Sequence, residues 1–322
     1  MLAGRRFFGA CSLNRTPNYQ GRKIMCGVGG IYFKTADHGA KTGEIAYRIL
    51  DGIFRRGPDS TGVALWHANK GDLLYVGTNY ETPGAGTAII EALNRVGTVK
   101  QATDGMGYVR AAISYSGSEQ DLVNTIDALD PTITVGSVGH HLEVLKHMGG
   151  VANLDDKFDL KSYNGRLAMG LTRYATESNI DFTNAQPLMA RANTDLAIMH
   201  NGHITNYHHL RSHYALKGYE FATQNDSEVI PIMLIDEMSE GASFEDALHI
   251  SIEKLDGCFT YIAVTEDRFA VVKDPYAAKP AVIAETDELV ALSSDPQSLR
   301  EGVLTDIEVW EPGAGEVHIW QM

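Results

Sequence analysis

Nine short runs rich in Val, Ile, Leu, Phe and Tyr punctuate the chain, and they constrain its fold more than any other feature: Gly27–Phe33, Gly62–His67, Leu73–Thr78, Arg166–Thr172, Leu196–Met199, Phe259–Val264, Phe269–Lys273, Ala281–Ala284 and Glu288–Leu292. Runs of this length suit strands, because a helix that short presents too little apolar surface to hold its place in a core. "CFTYIAVTEDRFAVVKD" reads as a hairpin turning at Glu266–Asp267, and "IEVWEPGAGEVHIW" as another turning through Pro312–Gly315. Helical periodicity lies between the runs. Ile45, Ile49 and Ile53 recur every fourth residue in Glu44–Arg55, as do Phe244, Leu248 and Ile252 in Phe244–Leu255. A third helix opens at Asp226 and carries Val229, Ile230, Met233 and Leu234, with Pro231 predicting a kink or a short helix. Many strands with a few amphipathic helices give an α+β chain of sheets covered by helices. Residues 79–165 are weakly patterned and rich in Gly, Thr and Asp; only Val138–Met148 reads as a helix, and the region is expected to be an insertion whose role the sequence leaves open.

Charge and cysteine usage exclude several functions. A net charge of −14 is wrong for a nucleic-acid partner, which needs clustered Lys and Arg. No run approaches the roughly 18 apolar residues that a membrane span requires. Cys11, Cys26 and Cys258 have no paired spacing, so neither a disulfide framework nor a zinc ribbon is expected, and the cytoplasm is the expected compartment. His200, His203, His209 and His213 lack the accompanying cysteines or HExxH pattern of a metal site, and no metal is expected. Residues 1–25 differ from the rest, with five cations (Arg5, Arg6, Arg15, Arg22, Lys23) and no acid; they read as a mis-called start or a leader absent from the mature protein.

Within "KIMCGVGGIYF", Cys26 follows Met25. A lone cysteine usually packs as a small hydrophobe. An initiator Met at position 25, however, would be trimmed ahead of so small a residue and leave Cys26 with a free α-amine. Such an amine has a reference pKa of about 7.7–8.0, suited to a general base. Thiol and base would then share one residue.

"CGVGGIYF", "RRGPDSTG", "GLTRYAT", "NAQPL", "MHNGHITN" and "NDSEV" follow one another, with "KDPYAAKP", "ALSSDPQSL" and "PGAGEVHIW" further on. In this order they resemble the class II, N-terminal-nucleophile (Ntn) glutamine amidotransferases, whose glutaminase domains occur in amidophosphoribosyltransferase, glutamate synthase and glucosamine-6-phosphate synthase. The resemblance covers nearly all of 26–322 outside the insertion. It implies the Ntn-hydrolase αββα four-layer sandwich of two mainly antiparallel sheets. It further implies Cys26 as nucleophile, Asn201 and Gly202 as oxyanion donors, Arg173 on the glutamine α-carboxylate and Asp226 on its α-ammonium. Tyr174 and Thr176 are expected in the same pocket. In "RRGPDSTG", where Arg55 replaces the family's histidine, Arg56 and Asp59 are expected to support the nucleophile.

The resemblance extends to stand-alone amidotransferase subunits of split glutamate synthase and N-methylglutamate synthase. The expected function is therefore glutamine hydrolysis through a Cys26 thioester, with ammonia passed to a separate synthase subunit. No cofactor is expected in this chain, while the partner would carry FMN and an iron-sulphur cluster. A purine-pathway phosphoribosyltransferase partner and a non-catalytic glutamine-sensing subunit are the alternatives.

Overall fold

The computed structural model describes residues 25–36, 41–68, 73–105, 107–175, 178–189, 195–303 and 307–322, so the expectations for residues 1–24 and for Thr176 lie outside the described residues. Three sheets form. The largest runs β15 (Val309–Trp310), β13 (Val282–Glu285), β14 (Leu289–Ser293), β1 (Gly27–Phe33), β8 (Leu167–Arg173), β2 (Ser60–Trp66), β7 (Leu142–Met148). The second runs β16 (Val317–Gln321), β12 (Arg268–Lys273), β11 (Gly257–Thr265), β10 (Leu196–Ile204), β9 (Leu188–Met189). Neighbouring strands in both are antiparallel.

These two sheets stack face to face. Val28, Tyr32, Met169 and Leu171 of the first meet Met199, Ile262, Phe269 and Val271 of the second in a core without helices. The outer face of the first sheet is covered by α1 (Thr42–Ile53), α4 (Val151–Phe158) and α8 (Pro296–Val303), whose Ile49, Leu50, Val151 and Leu299 pack on Ile31, Val63 and Ala291. On the far side α5 (Tyr207–Leu216), α6 (Val229–Ser239) and α7 (Phe244–Lys254) set Leu210, Ile230 and Leu248 against Ile198, Phe259 and Ala263. The layers are thus helix, sheet, sheet, helix. Because both faces of each sheet are buried, their strands read as near-continuous apolar runs instead of alternating ones.

The third sheet, β4 (Thr98–Gly105), β5 (Tyr108–Ser114), β3 (Leu73–Asn79), β6 (Thr134–Gly139), has its own core with α2 (Ala85–Val96) and α3 (Glu119–Asp127). It interrupts what would otherwise be a hairpin. β2 and β7 pair from Ser60↔Met148 to Trp66↔Leu142, and His67 N–H donates to His141 C=O at 2.7 Å. The chain leaves the large sheet at one rung and returns at the next.

Three sequence expectations change. Val138–Met148 is not helical: β6 ends at Gly139 and β7 begins at Leu142. Leu142 and Val144 point into the sandwich while Leu145 faces the helices, a period-two pattern that Gly139 and the β-branched valines favour over a helix. The segments flanking Pro312–Gly315 are not a hairpin, since β15 pairs with β13 in one sheet and β16 with β12 in the other. Pro231 does not interrupt α6. A 3-10 turn over Asp226–Glu228 precedes α6, so Pro231 falls in the first α-helical turn, where a missing N–H leaves no bond unmade.

Candidate active site

Cys26 enters β1 at the end of the large sheet that also carries the C-terminus of β8, and Arg173, the last residue of β8, lies beside it. Tyr174 N–H donates to Cys26 Sγ at 3.3 Å, and the thiol faces Tyr174 C=O at 3.5 Å. Burial pushes the Cys26 thiol above its ordinary pKa, opposed by the Tyr174 hydrogen bond and the Arg173 charge and reinforced by Asp226. This thiol holds its proton near neutral pH, so an attack on an amide needs a base to remove it.

Asn201 and Gly202 sit in mid-β10, across the sandwich from Cys26. Asn201 is 1% exposed, yet its Nδ2 and Oδ1 have no hydrogen-bond partner. A buried amide left unsatisfied carries a cost of about 1–3 kcal/mol, which a ligand at that position would relieve. Gly202 is fixed by close approach: a Cβ there would lie 2.3 Å from Cys258 O and 2.8 Å from His200 Nε2.

The backbone of this stretch is held by Gln186. Its Oε1 accepts from His200 N at 2.6 Å, and its Nε2 donates to His200 O at 3.2 Å and to Ser227 Oγ at 3.1 Å. Ser227 Oγ also lies 2.6 Å from His200 Nδ1. Burial lowers the His200 pKa below its usual range, so the ring is neutral at pH 7. Asp226 opens the 3-10 turn, accepting from Ile204 N at 3.0 Å and from Ser227 Oγ at 3.2 Å. Arg173 donates to Asn179 O at 3.1 Å and Ser178 Oγ at 2.5 Å, leaving other guanidinium N–H groups for a ligand.

One cavity joins these groups. Cys26, Arg173, Tyr174, Asn201, Gly202 and Asp226 line it, enclosing about 690 Å³ of empty space with its mouth included. Of the residues singled out in the sequence, Arg56 and Asp59 stand behind this wall. Asp59 Oδ2 accepts from Ala175 N at 2.9 Å and its N–H donates to Arg173 O at 3.0 Å, fixing the turn after β8. Burial lowers the Arg56 pKa, and its Nε and Nη2 are buried without a partner. Sequence reasoning assigned no role to Gln186, His200, Ser227 or Lys279, which also line the cavity, although "NAQPL", "MHNGHITN", "NDSEV" and "KDPYAAKP" contain them. Met25 lines it too, with Sδ 3.6 Å from Lys279 Nζ.

A glutamine amidotransferase domain model matches residues 174–301. A putative glutamine amidotransferase of Methanothermobacter thermautotrophicus is 32% identical over 92% of this chain and 100% of its own length. The glutamine amidotransferase-like protein GlxB of Rhizobium meliloti is 32% identical over 92% of this chain and 98% of its own. Among solved structures, an allosteric regulatory enzyme of purine biosynthesis superposes with a TM-score of 0.60 at 20% identity, covering 91% of this chain. This chain spans about half the length of that enzyme, 46%.

Proposed function

This chain belongs to the class II glutamine amidotransferases, and from that premise we propose that it is a glutaminase subunit working through an N-terminal Cys26 and delivering ammonia to a separate synthase. The observation that carries the reading is the convergence of Cys26, Arg173, Asn201–Gly202 and Asp226 from four elements onto one cavity. Glutamine is a zwitterion with a terminal amide. Arg173 binds its α-carboxylate, a role that suits a planar guanidinium, and Asp226 takes the α-ammonium. The side-chain amide then reaches Cys26.

The Cys26 α-amine accepts the thiol proton as sulfur attacks the amide carbon. The carbonyl oxygen becomes an oxyanion, held by Asn201 Nδ2 and the Gly202 N–H. Collapse breaks the C–N bond, the amine's proton leaves with ammonia, and a γ-glutamyl thioester remains. Water, deprotonated by the same amine, attacks the thioester; glutamate departs and the thiol regains its proton. Met25 blocks this chemistry in two ways, because its peptide bond occupies the α-amine and its side chain lines the cavity. The mature chain therefore begins at Cys26.

The acceptor is proposed to be a synthase subunit of the glutamate synthase or N-methylglutamate synthase type. The test is N-terminal mass spectrometry of the protein from its host, with ammonia and glutamate release measured on the same sample. A Cys26 N-terminus with equimolar release, abolished by Cys26→Ala, is expected. Full activity in a chain that retains Met25 overturns the mechanism.

A further inference from the structure

A second cleft lies where the four-stranded sheet meets the sandwich, and at its wall is a cation that makes no ion pair among the described residues. Lys146 follows Leu142 and Val144 on the inward face of β7 and is 5% exposed. Among the described residues no hydrogen bond or ion pair engages its Nζ, whereas Glu143 beside it is held on the opposite face by Arg110 and His67. The nearby carboxylates are committed elsewhere. Glu228 accepts from Ala222 N at 2.7 Å and from Thr223 N and Oγ1 at 2.9 and 2.7 Å, Asp181 accepts from Asn184 N at 2.8 Å and Nδ2 at 2.9 Å, and Glu119 faces His140 at 3.5 Å; Glu228 and Asp181 act on Lys146 through their charge without pairing with it. Burial lowers the Lys146 pKa to about 8, still cationic at pH 7. An unpaired buried ammonium is costly, so its retention calls for an anion.

The cleft offers space for one. It encloses about 660 Å³ of empty space with its mouth, and its apolar wall includes Val123, Val135, Phe182 and Leu188. We propose that this cleft binds a small organic carboxylate on a short apolar chain, with its carboxylate on Lys146 Nζ and the chain against the Val123–Phe182 wall. An occupant touches segments that also serve the first cavity, since Leu188 follows Gln186 and Thr223–Glu228 bracket Asp226.

The proposal goes beyond the glutaminase reading, and binding tests it without any turnover. Straight-chain carboxylates from acetate to octanoate are titrated calorimetrically into the full chain and into Lys146→Met, with inorganic phosphate as a separate arm. Saturable binding of a mid-length member, weakened about tenfold or more in Lys146→Met, is expected. The proposal is overturned if no member binds below ~10 mM, if the variant binds equally well, or if phosphate alone binds. Reductive methylation of the parent at pH 8, read by mass spectrometry, keeps the proposal testable if the variant does not fold. Labelling of Lys146 that the bound carboxylate suppresses supports it; labelling indifferent to saturating carboxylate overturns it.

Discussion

Asn201→Ala deletes an unpartnered buried amide, so its effects on stability and on rate separate. Stability should hold or rise, because an orphaned polar group leaves the core, while glutamine hydrolysis should slow about 100-fold or more through loss of an oxyanion donor. Thermal unfolding and steady-state kinetics on one preparation check both. Arg173→Lys should chiefly raise KM for glutamine, since an ammonium cannot reproduce a two-pronged contact; an unchanged KM would remove the carboxylate assignment. Lys146→Met tests the cost of the second cleft. The folded-state pKa of Lys146 is depressed to about 8 by burial, partly offset by Glu228 and Asp181 and deepened by Arg173. Below pH 8 both native and unfolded states carry the proton and the full penalty applies; it fades as pH rises toward ~10.4, where the unfolded lysine also loses its proton. The variant should therefore be about 3 kcal/mol more stable at pH 7, with the gain vanishing by about pH 10.5 in denaturant titrations. Individual motif residues such as Cys26 and Arg173 were legible in the sequence because each stands in a short distinctive stretch. Lys146 was not, because "HLEVLKHM" gives no sign of which face its sixth residue occupies until β7 is paired.

At the scale of elements, the legible parts were those whose burial is uniform. β1 was read to the residue because both its faces are buried, and α1 and α7 to within two residues because each repeats one apolar face. What failed depended on pairing partners. Val309–Trp310 and Val317–Gln321 are adjacent strands by any local criterion, and only tertiary contacts send them to opposite sheets. The Gln186 clasp was equally hidden, because a buried amide joining His200 and Ser227 has no periodic signature. Gln186→Leu should loosen β10 and the Asp226 turn together, lowering kcat and raising KM while leaving secondary structure intact by circular dichroism. A simple filler residue would alter neither. The cap of α7 is a local control. Ser243 and Asp246 form a reciprocal capping box, so Ser243→Ala should lower Tm by about 2 °C without affecting turnover.

Across the whole molecule, the sandwich and the four-stranded sheet are separable in principle. None of the core between the two large sheets, nor of the core under α5–α7, comes from residues 69–139. The connection between β2 and β7 closes at the His67–His141 rung, so a short turn can span it. Replacing residues 69–139 with Asn-Gly leaves a four-residue hairpin loop between His67 and His141, a connection that right-twisted strands accommodate. Removing so long a loop gains little closure entropy, since that term grows only logarithmically with length. Contacts decide the cost. Tyr108 leaves the core under α1 and α4 and no longer donates to Val144 O at 3.1 Å, while Glu143 loses Arg110 but becomes open to water and keeps His67. The shortened chain should therefore unfold cooperatively at a lower Tm than the parent. It should retain glutamine hydrolysis, because every group lining the first cavity lies outside 69–139. It should not bind the carboxylate series, because α3 and β6 supply half of the second cleft. Calorimetry, thermal unfolding and ammonia release on this one variant separate the three expectations. Loss of glutaminase activity in a cooperatively folded variant would mean that the four-stranded sheet helps build the active site instead of standing beside it.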